Sequence, residues 1–351
     1  MKKNFAIIDA GKDEIFVLAA SWTKKGNPVL EGFYRTRPLA VSPRREEWSY
    51  PNEEEIRAVL SGFSKKTGIS VSEVYAGISS SSINVMRSSG SILVSKYGKE
   101  ITAKDMARCV EIGSLARIPI EREILHKVVM GFSVDGEGLI RDPEGLEAVK
   151  LGVEVNMVTI NVTSIRNFSN SIAQAGYIPA GFVLSPLASS MRMLTEDDKE
   201  DMTVFICMRG KRIEVLFFSA GNLENCKVFD EPLLWENKPG TGLDVPGEND
   251  IFFREIMSMT GWRDMRRIVI SCSKVPSEEF VHATEKILAL PVRIAVPSAR
   301  PFEDLPEDGV SYSTALGILD YLSIEKRKTQ RETNPFKKVI DRIMIFLDGY
   351  F

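Results

Sequence analysis

Only two histidines, His126 and His282, and four scattered cysteines, Cys109, Cys207, Cys226 and Cys272, occur in the 351 residues. No C-x-x-C pair is present, so a zinc site is not expected and the thiols read as small buried hydrophobes of a reduced chain. Neither histidine lies near a nucleophile pattern: His126 in REILHKVV suits a strand, and His282 in EEFVHATEK suits an exposed helix face. The serine run in GISSS lacks the last glycine of a G-x-S-x-G elbow and reads as a strand edge or loop. KPGTG at 238–242 has no strand-to-helix phosphate context and reads as a turn. Long apolar runs are missing too. None reaches the roughly 18 residues of a transmembrane helix, and MKKNFAIIDAGKDE meets acidic residues too early for a signal peptide, which predicts a cytoplasmic protein.

What is present is an ordinary globular composition, 44% hydrophobic and 26% charged, enough for two domains of about 100–200 residues each. The net charge of −3 is unevenly distributed: residues 323–351 hold seven Lys/Arg against four Asp/Glu, a local +3, which leaves −6 on residues 1–322. This basic tail lacks the aromatic platforms of single-strand binders, so no nucleic-acid partner is expected. Its pattern is instead amphipathic. Phe336, Val339, Ile340, Ile343, Met344 and Leu347 recur at helical spacing, Ile345 and Phe346 widen the stripe, and Lys337, Lys338, Asp341 and Arg342 fill the other face. After the charged stretch SIEKRKTQRETN, this predicts a helix that lies on an anionic lipid surface, each cation adding about 1 kcal/mol.

Upstream, strand and helix signals alternate. FAIIDAG and EIFVLAASW read as strands around a tight turn, and NEEEIRAVLSGFSKKTG as a helix capped by Asn52 with Glu55 at N3. Thr102 opens a second helix, Gly176 ends a third, and Ser185 with Pro186 starts a fourth. TVFICM, RIEVLFFSA and NCKVFDEPLLW then read as successive strands, as at the start of a repeated α/β unit. RRIVISC and PVRIAV follow, bracketed by helices ending with SYSTALGILDYL.

The blocks VYAGISSSSINVMRSSGSI, RDPEGLEAVKLGVEV, AGYIPAGFVLSPLASSMRMLTEDDKE and YSTALGIL together resemble the bacterial cell-division protein family FtsA, of the actin-like superfamily. The resemblance covers roughly residues 4–322, and the tail extends it. It implies an α/β, actin-like (RNase H-like) two-lobed fold with an inserted SHS2-type α+β subdomain and a reduced second lobe. The expected division is 1–82 and 161–200 for the first actin-like subdomain and 83–160 for the insert. Residues 201–322 would form the second lobe, 323–335 a linker and 336–351 an amphipathic membrane-binding helix. The membrane-binding residues would be Phe336, Lys337, Lys338, Val339, Ile340, Arg342, Ile343, Met344, Phe346 and Leu347.

Family members hold Mg-ATP between glycine hairpins whose amides approach the phosphates. Here the first hairpin, DAGKDE, keeps Asp9 and Gly11 but has Lys12 for the usual Thr or Ser. The second, CMRGKR, places Cys207 where a metal-organising carboxylate belongs, and Arg209 and Lys211 where glycines belong, around Gly210. The glycine pair that meets adenosine is replaced by Cys272 and Ser273. No catalytic residue, metal or cofactor is therefore expected, and the chain reads as a pseudo-ATPase scaffold on the cytoplasmic face of the inner membrane. Its implied partners are lipids, division proteins and further copies in filaments. An FtsZ-type partner is left open, because much of the subdomain that would bind it is missing. The alternative is a PilM-like cytoplasmic adaptor of a type IV pilus or secretion platform, and a divergent ATPase is the remaining rival.

Overall fold

The computed structural model describes residues 3–11, 14–36, 50–115, 118–209, 212–230, 251–272, 278–297, 312–331 and 344–345. Apolar runs too continuous for a half-exposed sheet make β1 (Asn4–Ala10) and β2 (Ile15–Trp22), with β3 (Pro28–Thr36) completing an antiparallel meander. Helix α1 (Glu53–Thr67) starts at the expected capping box, where the Asn52 side chain accepts from the Glu55 N–H and Glu55 reaches back to the Asn52 N–H. It leads into β4 (Glu73–Ile78), parallel to β1.

Next comes the insert: β5 (Asn84–Leu93), β6 (Lys99–Glu100), α2 (Ala103–Gly113), β7 (Arg122–Val134), β8 (Glu137–Ile140), β9 (Glu147–Ala148) and β10 (Lys150–Asn161). Thr102 caps α2 as expected, with Asp105 as its reciprocal partner. The chain then returns through α3 (Val162–Gln174), ended by Gly176 at φ 95°, to β11 (Ile178–Leu184), parallel to β4. Helix α4 (Ser185–Met193) begins one residue earlier than expected, with Leu184 as its N-cap, and short α5 (Glu196–Glu200) follows.

The second lobe repeats the first. An antiparallel meander of β12 (Thr203–Arg209), β13 (Arg212–Ser219) and β14 (Asn222–Asp230) is followed by α6 (Ile251–Ser258), β15 (Arg267–Cys272), α7 (Glu278–Leu288) and β16 (Val292–Ile294). Strand orders β11-β4-β1-β2-β3 and β16-β15-β12-β13-β14 are the same plan drawn twice. The last helix, α8 (Ser313–Arg331), packs with α4 between the two sheets. One core cluster there joins Phe5, Ile7, Phe16 and Leu18 of the first sheet to Phe205, Leu216 and Phe218 of the second. Helices α1 and α3 cover the outer face of the first sheet, and α6 and α7 that of the second.

Two expectations about the tail are corrected. Residues 323–331 are not a linker: α8 runs through them, with Ser323 and Ile324 buried and Lys326 over the Trp22 ring at 4.3 Å. Met344, expected in a helix, forms with Ile345 a short strand, β17 (Met344–Ile345), parallel to β7 at Lys127 and Val128. An apolar run with β-branched Ile343 and Ile345 suits a strand as well as a helix, and a sheet edge supplies the pairing. The other expected membrane-binding residues, Phe336, Lys337, Lys338, Val339, Ile340, Arg342, Ile343, Phe346 and Leu347, lie outside the described residues.

His126 does more than fill a strand. It is buried on β7, where its Nε2 accepts from the Leu184 N–H at 2.9 Å and its Nδ1 lies 3.3 Å from the Tyr321 hydroxyl. Nε2 as acceptor places the proton on Nδ1, so the ring joins the insert to β11 and α8 as a neutral tautomer. Burial pushes its pKa down to about 3. The unfolded chain binds a proton below an ordinary value of about 6.5 and the folded chain does not, so stability falls as pH drops through that value towards 3. About 2 kcal/mol should be lost by pH 5 from this site. Urea melts of the wild type and His126→Gln at pH 7 and 5 should show the gap between them shrinking by that amount at the lower pH.

Candidate interlobe site

Asp9 stands at the end of β1, just before a hairpin closed by the Gly11 N–H donating to the Glu14 carbonyl at 2.7 Å. Across the cleft, β12 and β13 bring four side chains to one face. Cys207 pairs with Glu214 and Arg209 with Arg212, and residues two apart on a strand share a face. Two guanidiniums directly opposite one another would repel. Their placement is offset by the carboxylates around them.

Arg209 Nη2 donates to Asp9 Oδ2 at 2.7 Å, an ion pair between the two lobes. Its Nη1 reaches Thr314 Oγ1, at the start of α8, at 3.4 Å. The same Nη2 lies 4.0 Å from where a Cβ on Gly11 would stand, so the guanidinium sits over the first hairpin. Arg212 Nη1 donates to the Ser79 carbonyl at 2.8 Å, and the Tyr50 hydroxyl donates to that carbonyl too. Asp9, Ser79, Arg212 and Glu214 are all buried.

Burial opposes the charge of Arg209, yet the nearby Asp9 and Glu214 carboxylates win and hold its pKa above the usual value. Burial raises the Glu214 pKa against the pull of Arg209, Ser79 and Arg212. Burial also pushes the Cys207 thiol well up, and the negative charge of Glu214 adds to that. Cys207 is therefore a protonated thiol and a poor metal ligand. Two guanidiniums, Arg209 and Arg212, thus face two carboxyl groups, Asp9 and Glu214, within the cleft. Asp9 Oδ1 remains buried without a hydrogen-bond partner, and such a group costs about 1–3 kcal/mol. Among the described residues no group of three or more His, Cys, Asp or Glu could hold a metal ion.

Of the positions singled out from the sequence, Asp9, Gly11, Cys207 and Arg209 thus come together. Cys272 does not: Cys207 pairs with Ser271 across β12 and β15, so the pleat turns Cys272 to the opposite face, against the outer core of the second lobe. Lys12, Gly210, Lys211 and Ser273 lie outside the described residues. Sequence reasoning missed Arg212, Glu214, Ser79 and Thr314. The first two carried a signal: R-x-E at alternate positions of an otherwise apolar strand places two charges on one buried face.

Residues 80–159 match the family described as the SHS2 domain inserted in FTSA. The chain is 28% identical over 182 residues to the cell division protein FtsA of Bacillus subtilis, covering 52% of this chain and 41% of that one. It is 21% identical over 363 residues to the FtsA of Pseudomonas aeruginosa, covering 85% and 86% of the two chains. Among solved structures, the PilM-PilN type IV pilus biogenesis complex superposes with a TM-score of 0.51 at 12% identity, covering 92% of this chain and 99% of that one, a likeness of fold. The doubled meander-and-parallel-strand plan around a shared core, interrupted by this inserted domain, makes the chain an FtsA-like protein of actin-like fold.

Proposed function

We propose that the chain is an FtsA-like cell-division scaffold, held peripherally at a membrane, whose interlobe cleft does not take Mg-ATP. The observation that carries this reading is the Arg209–Asp9 ion pair. Backbone amides can cradle a phosphate only where no side chain intervenes, and here a guanidinium lies over the first hairpin and uses the carboxylate that would face a hydrated metal. A triphosphate would have to displace that pair and leave Glu214 buried beside it.

The insert supports a scaffolding role. Of the twelve exposed large hydrophobics among the described residues, nine lie between Leu93 and Val149, including Tyr97, Leu115 and Ile120. A concentration of apolar surface on one small domain suits a protein–protein contact. Division proteins and further copies of this chain are the partners proposed for it. The helical periodicity and basic charge of residues 336–347 supply the tether, since no helix among the described residues is long and apolar enough to cross a membrane. Assembly would strengthen a single weak anchor by making later contacts intramolecular.

The test is sedimentation with anionic vesicles, comparing the full chain with a 1–331 truncation, each with and without Mg-ATP. The full chain should pellet, the truncation should stay in solution, and nucleotide should change neither. Equal pelleting of both chains would remove the membrane role, and a nucleotide-dependent difference would restore an ATP-gated one.

A further inference from the structure

Strand β7 pairs along its whole length with β10 on one side. On its other side β8 takes only Phe132 and Val134, which leaves most of the edge from Glu123 onward open among the described residues, apart from one contact. That contact is β17: Met344 and Ile345 lie parallel to Lys127 and Val128. An open edge presents a row of unsatisfied N–H and C=O groups that an extended segment can satisfy. The tail meets this demand within easy reach. Tyr321 touches His126, next to Lys127. From Tyr321 the remainder of α8 carries the chain about 15 Å along the helix axis. The stretch from Arg331 to Met344 can extend to about 43 Å.

We propose that Met344–Ile345 is a docking strand that holds the tail on the β7 edge, and that this docked form and a lipid-bound helix exclude one another. The inference rests on the membrane reading above for its second half only. Exclusion follows from the backbone: the amides and carbonyls that pair with β7 cannot at the same time close helical turns. The sequence is fit for both states, because Ile343–Leu347 is a continuous apolar run with β-branched residues flanking Met344, yet it also continues the helical stripe. Capture of the tail by lipid would therefore uncover the β7 edge, and the proximity of His126 and Leu184 places that event at the seam between the insert and the first lobe.

A disulfide tests this. In full-length protein carrying Cys272→Ser, the pair Lys127→Cys and Met344→Cys should oxidise readily, whereas Glu123→Cys with Met344→Cys, about 13 Å out of register, should not. Once oxidised, the first pair should bind anionic vesicles at least about tenfold more weakly than after reduction. Failure of that pair to cross-link, or equal cross-linking of both pairs, overturns the docking strand. Vesicle binding unaffected by oxidation overturns the exclusion. If neither redox form binds vesicles, the membrane reading falls and the exclusion with it, while the docked strand stands. If the double variant does not fold, hydrogen exchange of the wild type decides: the Lys127 and Val128 amide region must exchange faster once vesicles are added, and unchanged protection overturns the proposal.

Discussion

Arg209→Met should destabilise the folded chain by about 3 kcal/mol, as expected when the cation of a part-buried ion pair is removed and its carboxylate partner, Asp9, stays buried. The cost is not the loss of one hydrogen bond. Among the described residues Arg209 is the cation paired with Asp9, and without it Asp9 keeps a buried carboxylate with one oxygen already unpartnered. Glu214 loses the first of the charges that oppose its desolvation. Adding Asp9→Asn should recover a large part of the loss, because a neutral amide no longer needs the cation, so the two substitutions should be strongly non-additive. Urea midpoints of the two single variants and the double one measure this. Additive effects, or a loss below about 1 kcal/mol for Arg209→Met, would mean that the pair is an incidental surface contact of the kind worth little. Calorimetry on the double variant is informative in the same series: with both charges gone, the cleft still has Cys207 in place of a carboxylate, so Mg-ATP should remain unbound.

The elements that sequence reading found were those fixed by neighbours along the chain. The capping box at Asn52 and the helix start at Thr102 need only the residue three positions on, and Gly176 needs only its own freedom at positive φ. The repeated strand plan showed in part: β1, β2 and the second meander are apolar runs broken by short turns, whereas β3, with no fully buried residue, went unread. The interlobe site was half legible. Departures at Cys207 and Arg209 stood out against a family pattern, but what Arg209 does instead depends on Asp9, two hundred positions away in sequence. His126 was unreadable for the same reason, its partners being Leu184 and Tyr321. The tail misled in two ways. The polar run after Leu322 has the composition of a linker but also consists largely of good helix formers, and burial of Ile324 together with the Trp22 contact of Lys326 carries α8 through it. Met344 sits in a run whose apolar residues satisfy both periods, and only an open sheet edge decides between them.

Gly317→Ala should be the most damaging glycine-to-alanine change among the described residues. Helix propensity alone favours alanine by about 1 kcal/mol, so a substitution on an exposed helix face would stabilise. Here α8 crosses α4, and a Cβ at 317 would stand 1.8 Å from the Ala188 carbonyl oxygen and 2.5 Å from its carbon. Both atoms are backbone, so no rotamer change relieves the clash and the helices must separate. Ala315, Leu316, Ile318 and Leu319 on the same stretch are buried in the core that joins the lobes, so separation loosens both sheets together. The loss should reach or exceed the upper end of the roughly 1–3 kcal/mol typical of overpacking. It should also reach the cleft, since Thr314, one turn away on α8, holds Arg209. Gly62→Ala in α1 is the control: its Cβ would meet the tip of Tyr34, 3.0 Å from the hydroxyl, and a partly exposed ring can yield. Thermal melts should show Gly317→Ala falling far below the wild type while Gly62→Ala stays close to it. Equal melting of the two variants would mean that α4 and α8 do not touch at Gly317, and the close-packed seam between the lobes would have to be redrawn.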